Sequence, residues 1–139
     1  MNGSGLAKKL LLKAGPALVL EPPPGFLAQL GEAAGELHTA PQAGEPYDFV
    51  LLFARDQAGL ARLAPLALQA LRYDGLLWIA YPKRSSKTIT DLSRDAGWEV
   101  LWQAGLQGIA VVSIDATWSA LRFRPTERIQ RQENRPGQG

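Results

Sequence analysis

The chain has 139 residues, of which 46% are hydrophobic and 20% charged, a composition typical of one folded domain and not of a disordered chain. The 15 basic and 13 acidic residues leave a formal net charge of +2, which is too small to indicate a strongly basic nucleic-acid-binding protein. The absence of cysteine excludes disulfides, thiolate catalysis and cysteine-ligated zinc. The apolar run Leu10–Leu12 is too short for a signal peptide or a membrane span, so we expect a cytoplasmic protein with no membrane partner.

The N-terminal third predicts two helices and two strands. Ser4 can cap a helix that ends near Lys13. Ala17–Glu21 is short and aliphatic, as expected of a parallel strand that is buried on both faces. The proline run Pro22–Pro24 ends that strand. A short helix, Phe26–Ala34, and a weaker strand, Glu36–Ala40, follow.

The middle of the chain predicts a strand, a helix and a strand. Tyr47–Ala54 is the clearest strand of the sequence, and Asp56 can cap the helix that follows. That helix is predicted over Gln57–Arg72, where leucines recur at helical spacing, and Pro65 should kink or split it. Leu76–Tyr81 is predicted to be the next buried strand.

The C-terminal part predicts one more helix and two strands that are close in sequence. Thr88 or Thr90 can cap a helix that runs toward Ala104. A strand is predicted over Gly108–Asp115, and a last strand, beginning at Trp118 or Ser119, ends near Arg124.

Together these elements predict a single α/β domain over residues 1–125. Strands separated by helices imply right-handed parallel crossovers, and hence a doubly wound, mostly parallel sheet of five to six strands with helices on both faces. The last two strands are too close for a crossover, so they must form an antiparallel hairpin whose turn lies at the carboxyl edge of the sheet. The polar residues 126–139 predict a disordered tail.

This order of elements over Leu6–Pro125 resembles the class I S-adenosylmethionine-dependent methyltransferases, which have a Rossmann-like fold. Part of one sheet edge is missing, because only Pro41–Pro46 fills a gap where the family has a helix, a strand and a helix. The sequence is also similar to small uncharacterised bacterial proteins that share a domain of unknown function. That similarity lies in Lys83-x-x-Ser86-Lys87, in Thr90–Asp95 and in Asp115-x-x-Trp118 through Arg122, and it implies no activity.

The methyltransferase resemblance implies a cofactor loop that this sequence lacks. The family has glycines after its first strand because the cofactor packs on the backbone and accepts from its N–H groups. Pro22–Pro24 stand at that position and have no N–H groups. Glu21 matches the acidic strand end, but His38-Thr39-Ala40 replaces the carboxylate that holds the ribose. Two of the three recognition elements are absent, so we predict no S-adenosylmethionine site and no cofactor.

The carboxyl edge of the predicted sheet gathers cations and hydroxyls. Ligands of open parallel sheets lie outside the carboxyl ends of the strands. The loop from Lys83 to Thr88 leads into a predicted helix N-terminus, whose N–H groups favour a phosphate or a carboxylate, although a solvated loop is the alternative. We predict an anion site formed by Lys83, Ser85, Ser86, Lys87, Thr90 and Arg94, with Asp115, Thr117 and Trp118 as the pocket wall.

Other candidate residues favour structural roles. His38 is the only histidine, so a two-histidine metal site cannot form and no metal is expected. A conventional Ser-His-Asp triad is not expected either, since no second histidine could serve in its place. Arg122 should be structural, for instance by pairing with Asp115 or stacking on Trp118.

The sequence favours a non-catalytic domain over an enzyme. Its predicted ligand is a small anionic molecule or a protein partner at the carboxyl edge. The alternatives are a divergent transferase, or a weak nucleic-acid-binding protein that uses Lys83, Arg84, Lys87 and the arginines near the C-terminus.

Overall fold

The computed structural model describes residues 2–13, 15–30, 36–42, 44 and 46–133. It is a mixed α/β structure. In chain order its elements are α1 Asn2–Lys9, β1 Pro16–Leu20, α2 Phe26–Leu30, β2 Glu36–His38, β3 Tyr47–Phe53, α3 Gln57–Ala70, β4 Leu71–Pro82, a 3₁₀ turn Arg84–Ser86, α4 Glu99–Gln103, β5 Leu106–Ser113, β6 Trp118–Pro125 and α5 Thr126–Glu133.

The six strands form one sheet in the order β2-β1-β3-β4-β6-β5. The β1–β2, β1–β3 and β3–β4 pairs are parallel, whereas β6 is antiparallel to both β4 and β5. The predicted mostly parallel sheet with a C-terminal antiparallel hairpin is therefore confirmed. A short hairpin loop joins β5 to β6, so β6 runs antiparallel to β5. In the sheet, β6 lies between β4 and β5.

Helices cover both faces of the sheet. On one face, Leu60 and Leu63 of α3 pack with Val50 and Leu52 of β3. On the other face, α1 and α2 pack on Phe49, Leu51 and Phe53, the alternate residues of the same strand. Trp78 Nε1 donates to the carbonyl oxygen of Leu10 at 2.9 Å and so attaches the end of α1 to the centre of the sheet. No helix in the described ranges is both long and apolar enough to cross a membrane.

Helix α3 is continuous through Pro65, so the predicted split does not occur. Proline lacks an N–H group and leaves the carbonyl of the residue four positions earlier, Ala61, without its helical partner. Both Ala61 and Pro65 are exposed, so water can satisfy that carbonyl. The helix ends at Ala70, two residues before the predicted end at Arg72.

The helix predicted to begin at Thr88 or Thr90 is absent, and only Glu99–Gln103 of that segment is helical. Side-chain hydrogen bonds replace the helix, because Thr90 Oγ1 accepts from the amide of Leu92 at 3.1 Å. Gly97 has φ +100°, which no helix accommodates. The expectation of a helix N-terminus beside the cation loop was therefore wrong.

Residues 126–133 form α5, although the sequence assigned them to a disordered tail. The start of α5 is attached to the α4–β5 turn, since the amide and the hydroxyl of Thr126 both donate to the Gly105 carbonyl, at 2.8 and 3.1 Å. Arg128 Nε donates to Asp74 at 3.2 Å. Residues 134–139 of the predicted tail lie outside the described residues.

Candidate anion-binding cleft

The carboxyl ends of the parallel strands and the β5–β6 turn lie at one edge of the sheet, as predicted. Pro82 at the end of β4 is paired with Trp118 at the start of β6. The amide of Lys83 donates to the carbonyl of Thr117 at 2.7 Å. The loop after β4 therefore begins beside the turn that precedes β6.

The Asp115 carboxylate shapes that turn. Its Oδ1 accepts from the amides of Thr117 and Trp118, both at 2.9 Å. Arg122 forms no salt bridge with Asp115 or with any other described residue, so the predicted pairing of these two residues is wrong. Arg122 faces Trp78 of β4, and burial lowers the pKa of its guanidinium, with a smaller contribution from the neighbouring charge of Arg124.

The first half of the loop after β4 is folded by its own hydroxyl groups. Ser86 Oγ donates to the carbonyl of Lys83 at 2.6 Å and accepts from the amide of Thr88 at 3.3 Å. Lys87 has φ +66°, in the left-handed region that ends the 3₁₀ turn. Ser86 therefore has a structural role, and Lys87 is exposed.

The second half of the loop is attached to α3. Gln57 is the first residue of α3. Its backbone amide donates to Asp91 Oδ1 at 2.7 Å, and its side-chain Nε2 donates to the Asp91 backbone carbonyl at 3.1 Å. Trp98 Nε1 donates to the carbonyl of Ser93 at 2.8 Å. A Cβ at Gly97 would lie 2.7 Å from Leu92 Cδ2, so only glycine fits there.

A cleft of about 720 Å³ lies between this loop and the ends of β4 and β6. Four residues of the predicted anion site line it, whereas Ser86, Lys87 and the predicted wall of Asp115, Thr117 and Trp118 do not. Sequence reasoning did not place Tyr81, Arg84 and Ser119 in the site, although the pairing of Tyr81 with Ser119 follows from the hairpin register. Polar and charged side chains that line the cleft include those of Tyr81, Lys83, Arg84, Ser85, Thr90, Asp91, Arg94, Asp95 and Ser119.

The cleft carries three cations, Lys83, Arg84 and Arg94, and none of them forms a salt bridge within the part of the chain that the structure describes. Lys83 Nζ instead donates to Ser113 Oγ at 2.6 Å. Two carboxylates, those of Asp91 and Asp95, also line the cleft. The Asp91 carboxylate accepts from the backbone amide of Gln57 in α3.

Tyr81 adds a neutral donor to the cleft. Burial raises the pKa of the Tyr81 phenol, although a hydrogen bond with Ser119 and the charge of Arg94 oppose the shift. The phenol is therefore protonated at neutral pH and can donate to a ligand.

A second cleft, of about 550 Å³, lies at the same edge, beyond the end of β1. Pro22–Pro24 form one of its walls, and Arg55, Arg62 and Trp118 also line it. The guanidinium carbon of Arg55 lies 5.9 Å from the centroid of the Trp118 ring, so the arginine that stacks on this indole is Arg55 and not Arg122. The Trp118 ring also packs edge-to-face on Phe53 at 5.0 Å.

His38 lies in β2, an edge strand of the sheet, where hydrogen bonds hold its ring. Its Nδ1 contacts the hydroxyl of Tyr47, and its Nε2 lies 2.5 Å from Glu36 Oε2. Both ring nitrogens are therefore occupied by neighbouring side chains.

No protein-family model matches the chain, and no curated protein matches its sequence. Solved structures do match its fold. The N-methyltransferase NodS from Bradyrhizobium japonicum WM9, in complex with S-adenosyl-L-homocysteine, has a TM-score of 0.57 and 12% identity over 88% of this chain and 85% of NodS. The glycopeptide N-methyltransferase MtfA has a TM-score of 0.54 and 10% identity, over 88% of this chain and 94% of MtfA.

A methyltransferase from Aquifex aeolicus described as SAM-dependent has a TM-score of 0.53 and 17% identity, and the match covers 88% of each chain. At these identities the similarity shows the fold alone. The chain therefore has a methyltransferase-like, Rossmann-like α/β fold.

Proposed function

We propose that this chain is a methyltransferase-like binding domain that takes a small anionic ligand, such as a phosphate ester or a carboxylate, in the cleft between Lys83 and Arg94. The observation that carries the proposal is the set of three cations on one concave surface without a salt-bridge partner among the described residues. The three cations outnumber the two carboxylates of the cleft, Asp91 and Asp95, and cations without an ion-pair contact favour an anion there. Tyr81, Ser85 and Thr90 supply hydroxyl donors beside them.

We also propose that the domain does not use S-adenosylmethionine. The proline wall of the second cleft stands directly after β1, where the methyltransferase resemblance implies a glycine loop. Three consecutive prolines offer no N–H donors and place ring atoms against the space that a cofactor would need. We also propose a location in the bacterial cytoplasm, since a chain without cysteine has no disulfide that would require an oxidising compartment.

Thermal unfolding in different salts tests the anion cleft. Phosphate or sulfate should raise the melting temperature above that in chloride at equal ionic strength. A ligand at ten times its dissociation constant adds about 1.4 kcal/mol of stability, which corresponds to about 4 °C for a domain of this size. Arg84→Gln with Arg94→Gln should abolish the difference between the salts.

Lys87→Gln is the matched control, because Lys87 lies in the same loop but does not line the cleft. This control should keep the phosphate response of the wild-type chain. An equal loss in the control and in the cleft variant would mean that the response reports net charge, and the proposed cleft would then be wrong. No difference between phosphate and chloride in the wild-type chain would overturn the anion cleft.

Calorimetry with S-adenosylmethionine tests the second part of the proposal. We expect no measurable heat at about millimolar cofactor, a concentration that detects binding as weak as about −4 kcal/mol. A micromolar dissociation constant would overturn the interpretation of Pro22–Pro24 and would favour a divergent methyltransferase.

A further inference from the structure

Strand β5 is an edge of the sheet with little protection: its pairing with β6 is irregular between Gly108 and Ala110, and Lys9 Nζ donates to the carbonyl of Ser113 at its end, at 3.0 Å. Among the described residues its only strand partner is β6, and its residues from Gln107 to Val111 are all exposed. The whole strand, Leu106–Ser113, contains no charged residue and no proline. Long edge strands usually combine charges, proline or bulges, which hinder pairing with other chains. At the opposite edge, β2 has only three residues.

An apolar surface lies beside this edge. Helix α4 has only five residues and leaves part of the sheet face uncovered. Ile109 and Val111 are each 39% exposed, and Trp102 at the end of α4 is 46% exposed. A cavity of about 390 Å³ between α4 and the strands is lined by these three residues and by the buried Leu121. Exposed aromatic and aliphatic side chains around a cavity are typical of protein interfaces.

We propose that a second copy of this chain covers the β5 edge, with the two β5 strands antiparallel across a two-fold axis, so that the two sheets become continuous. Such pairing satisfies the outward N–H and C=O groups of both edges. It also places Val111 and Ile109 of each copy against an uncharged strand of the other.

The charges around the patch are self-complementary, which favours a second copy over a charged partner. Of the residues that the structure describes, Arg94 and Asp95 are the only charged ones that line the cavity. One positive and one negative group leave the patch without net charge, so two copies do not repel each other. A two-fold axis can place Asp95 of one copy opposite Arg94 of the other, because an isologous interface pairs each patch with itself.

The molar mass in solution tests this proposal. Light scattering at about 100 µM, where even a weak micromolar dimer is populated, should give about twice the 15.1 kDa of the single chain. Val111→Lys should return the mass to that of a monomer, because it places like charges next to the two-fold axis. Ile89→Lys makes the same change at a residue that is 96% exposed and distant from β5 in sequence, and this variant should remain a dimer.

Circular dichroism shows whether each variant is folded, so a mass change in a folded Val111→Lys protein supports the interface. A wild-type chain that remains monomeric would overturn the proposal. So would a dimer that both lysine variants leave intact.

Cysteine cross-linking tests the geometry independently, because the chain has no cysteine of its own. Single cysteines at Gln107, Ile109 and Val111 should react with a short bis-maleimide linker to give covalent dimers, most efficiently at the residue nearest the two-fold axis. Ile89→Cys should give little cross-linked product. Equal cross-linking at Ile89, or none along β5, would contradict an antiparallel β5 pair. Arg94 and Asp95 line both this cavity and the anion cleft, but neither cross-linking outcome requires a bound anion.

Discussion

The amino and carboxyl edges of the sheet both concentrate charge, and they use it differently. At the amino edge, the Asp74 carboxylate accepts from Arg124 Nε at 2.9 Å, from Arg124 Nη2 at 3.1 Å and from Arg128 Nε at 3.2 Å. The side chain of Asp74 is only 18% exposed. At the carboxyl edge, Arg84 and Arg94 have no salt bridge to any described residue. Paired charges hold α5 to the sheet, whereas unpaired charges are available to a ligand.

The pKa directions agree with this difference. Hydrogen bonds from Arg124 lower the pKa of Asp74 most, and the charges of Arg124 and Arg128 add to the effect against the opposing influence of burial. The loop with the carboxyl-edge cations is held in another way, by the fit of Gly97 and by two hydrogen bonds between Gln57 and Asp91, each of which joins a side chain to a backbone group. Substitutions should therefore affect the two edges in different ways.

The largest effect should come from Gly97→Ala at the carboxyl edge. The new methyl group would meet Leu92 Cδ2 at 2.7 Å with the backbone at φ +100°. Strain and overpacking should together lower the free energy of unfolding by about 3 kcal/mol in urea denaturation.

Gly105→Ala separates these two contributions, because Gly105 also has a positive φ, +86°, but nothing lies within 4 Å of its added Cβ. The backbone contribution alone should cost about 1 kcal/mol. Equal losses in the two variants would show that the packing of Leu92 on Gly97 does not hold the loop.

A smaller loss is expected from Asp74→Asn at the amino edge. Asparagine also tolerates the positive φ of this position, +60°, so the substitution removes mainly the charge. Weakening the hydrogen bonds to Arg124 and Arg128 should lower the free energy of unfolding by about 1.5 kcal/mol.

Asp48→Asn is the control, since Asp48 and its partner Arg72 are 75% and 49% exposed. An exposed pair of this kind should contribute less than about 0.5 kcal/mol. If the two asparagine variants lost the same stability, burial of the Asp74 cluster would have no energetic consequence.

The Asp74 contribution should also depend on pH. The folded-state pKa lies below the ordinary value of 3.8, so the folded state favours the ionised carboxylate. The stabilisation is complete above the unfolded-state pKa and is lost as the pH falls through the lower folded-state pKa. Urea denaturation of the wild-type chain and of Asp74→Asn should therefore converge at acid pH. A stability difference that stays constant below pH 3.8 would contradict this assignment.

The smallest effect on stability is expected from Arg84→Gln with Arg94→Gln. Both side chains are exposed and form no ion pair with the described residues, so the free energy of unfolding without ligand should change by less than about 0.5 kcal/mol. A loss comparable to that of Asp74→Asn would mean that these cations stabilise the fold, and the contrast between the two edges would fail.

The sheet was predictable because its central strands are apolar runs. Tyr47–Ala54 and Leu76–Tyr81 are covered on both faces, and burial of that kind leaves a direct sequence signal. Helix α5 leaves no such signal. Its contacts are with Tyr73, Asp74 and Gly105, which are distant in sequence, and short polar helices depend on contacts of this kind.

The candidate site was predictable only in part, for a related reason. Ser86 and Lys87 have the residue types expected for an anion site, but the hydroxyl of Ser86 bonds its own loop and Lys87 ends the 3₁₀ turn. Serine, threonine and aspartate side chains compete with helical hydrogen bonds, so sequence periodicity does not reveal which of them become structural. Ser119 lies in the cleft because the register of β6 on β4 places it beside Tyr81, and that register depends on the whole hairpin.

The position of β6 also has a consequence for the order in which the sheet assembles. β6 lies between β4 and β5 in the sheet but follows both in the chain, so β5 can join the sheet only after β6 has paired with β4. Until then β5 is an uncharged strand without a partner in the sheet, and unpaired strands of this kind make folding intermediates prone to association.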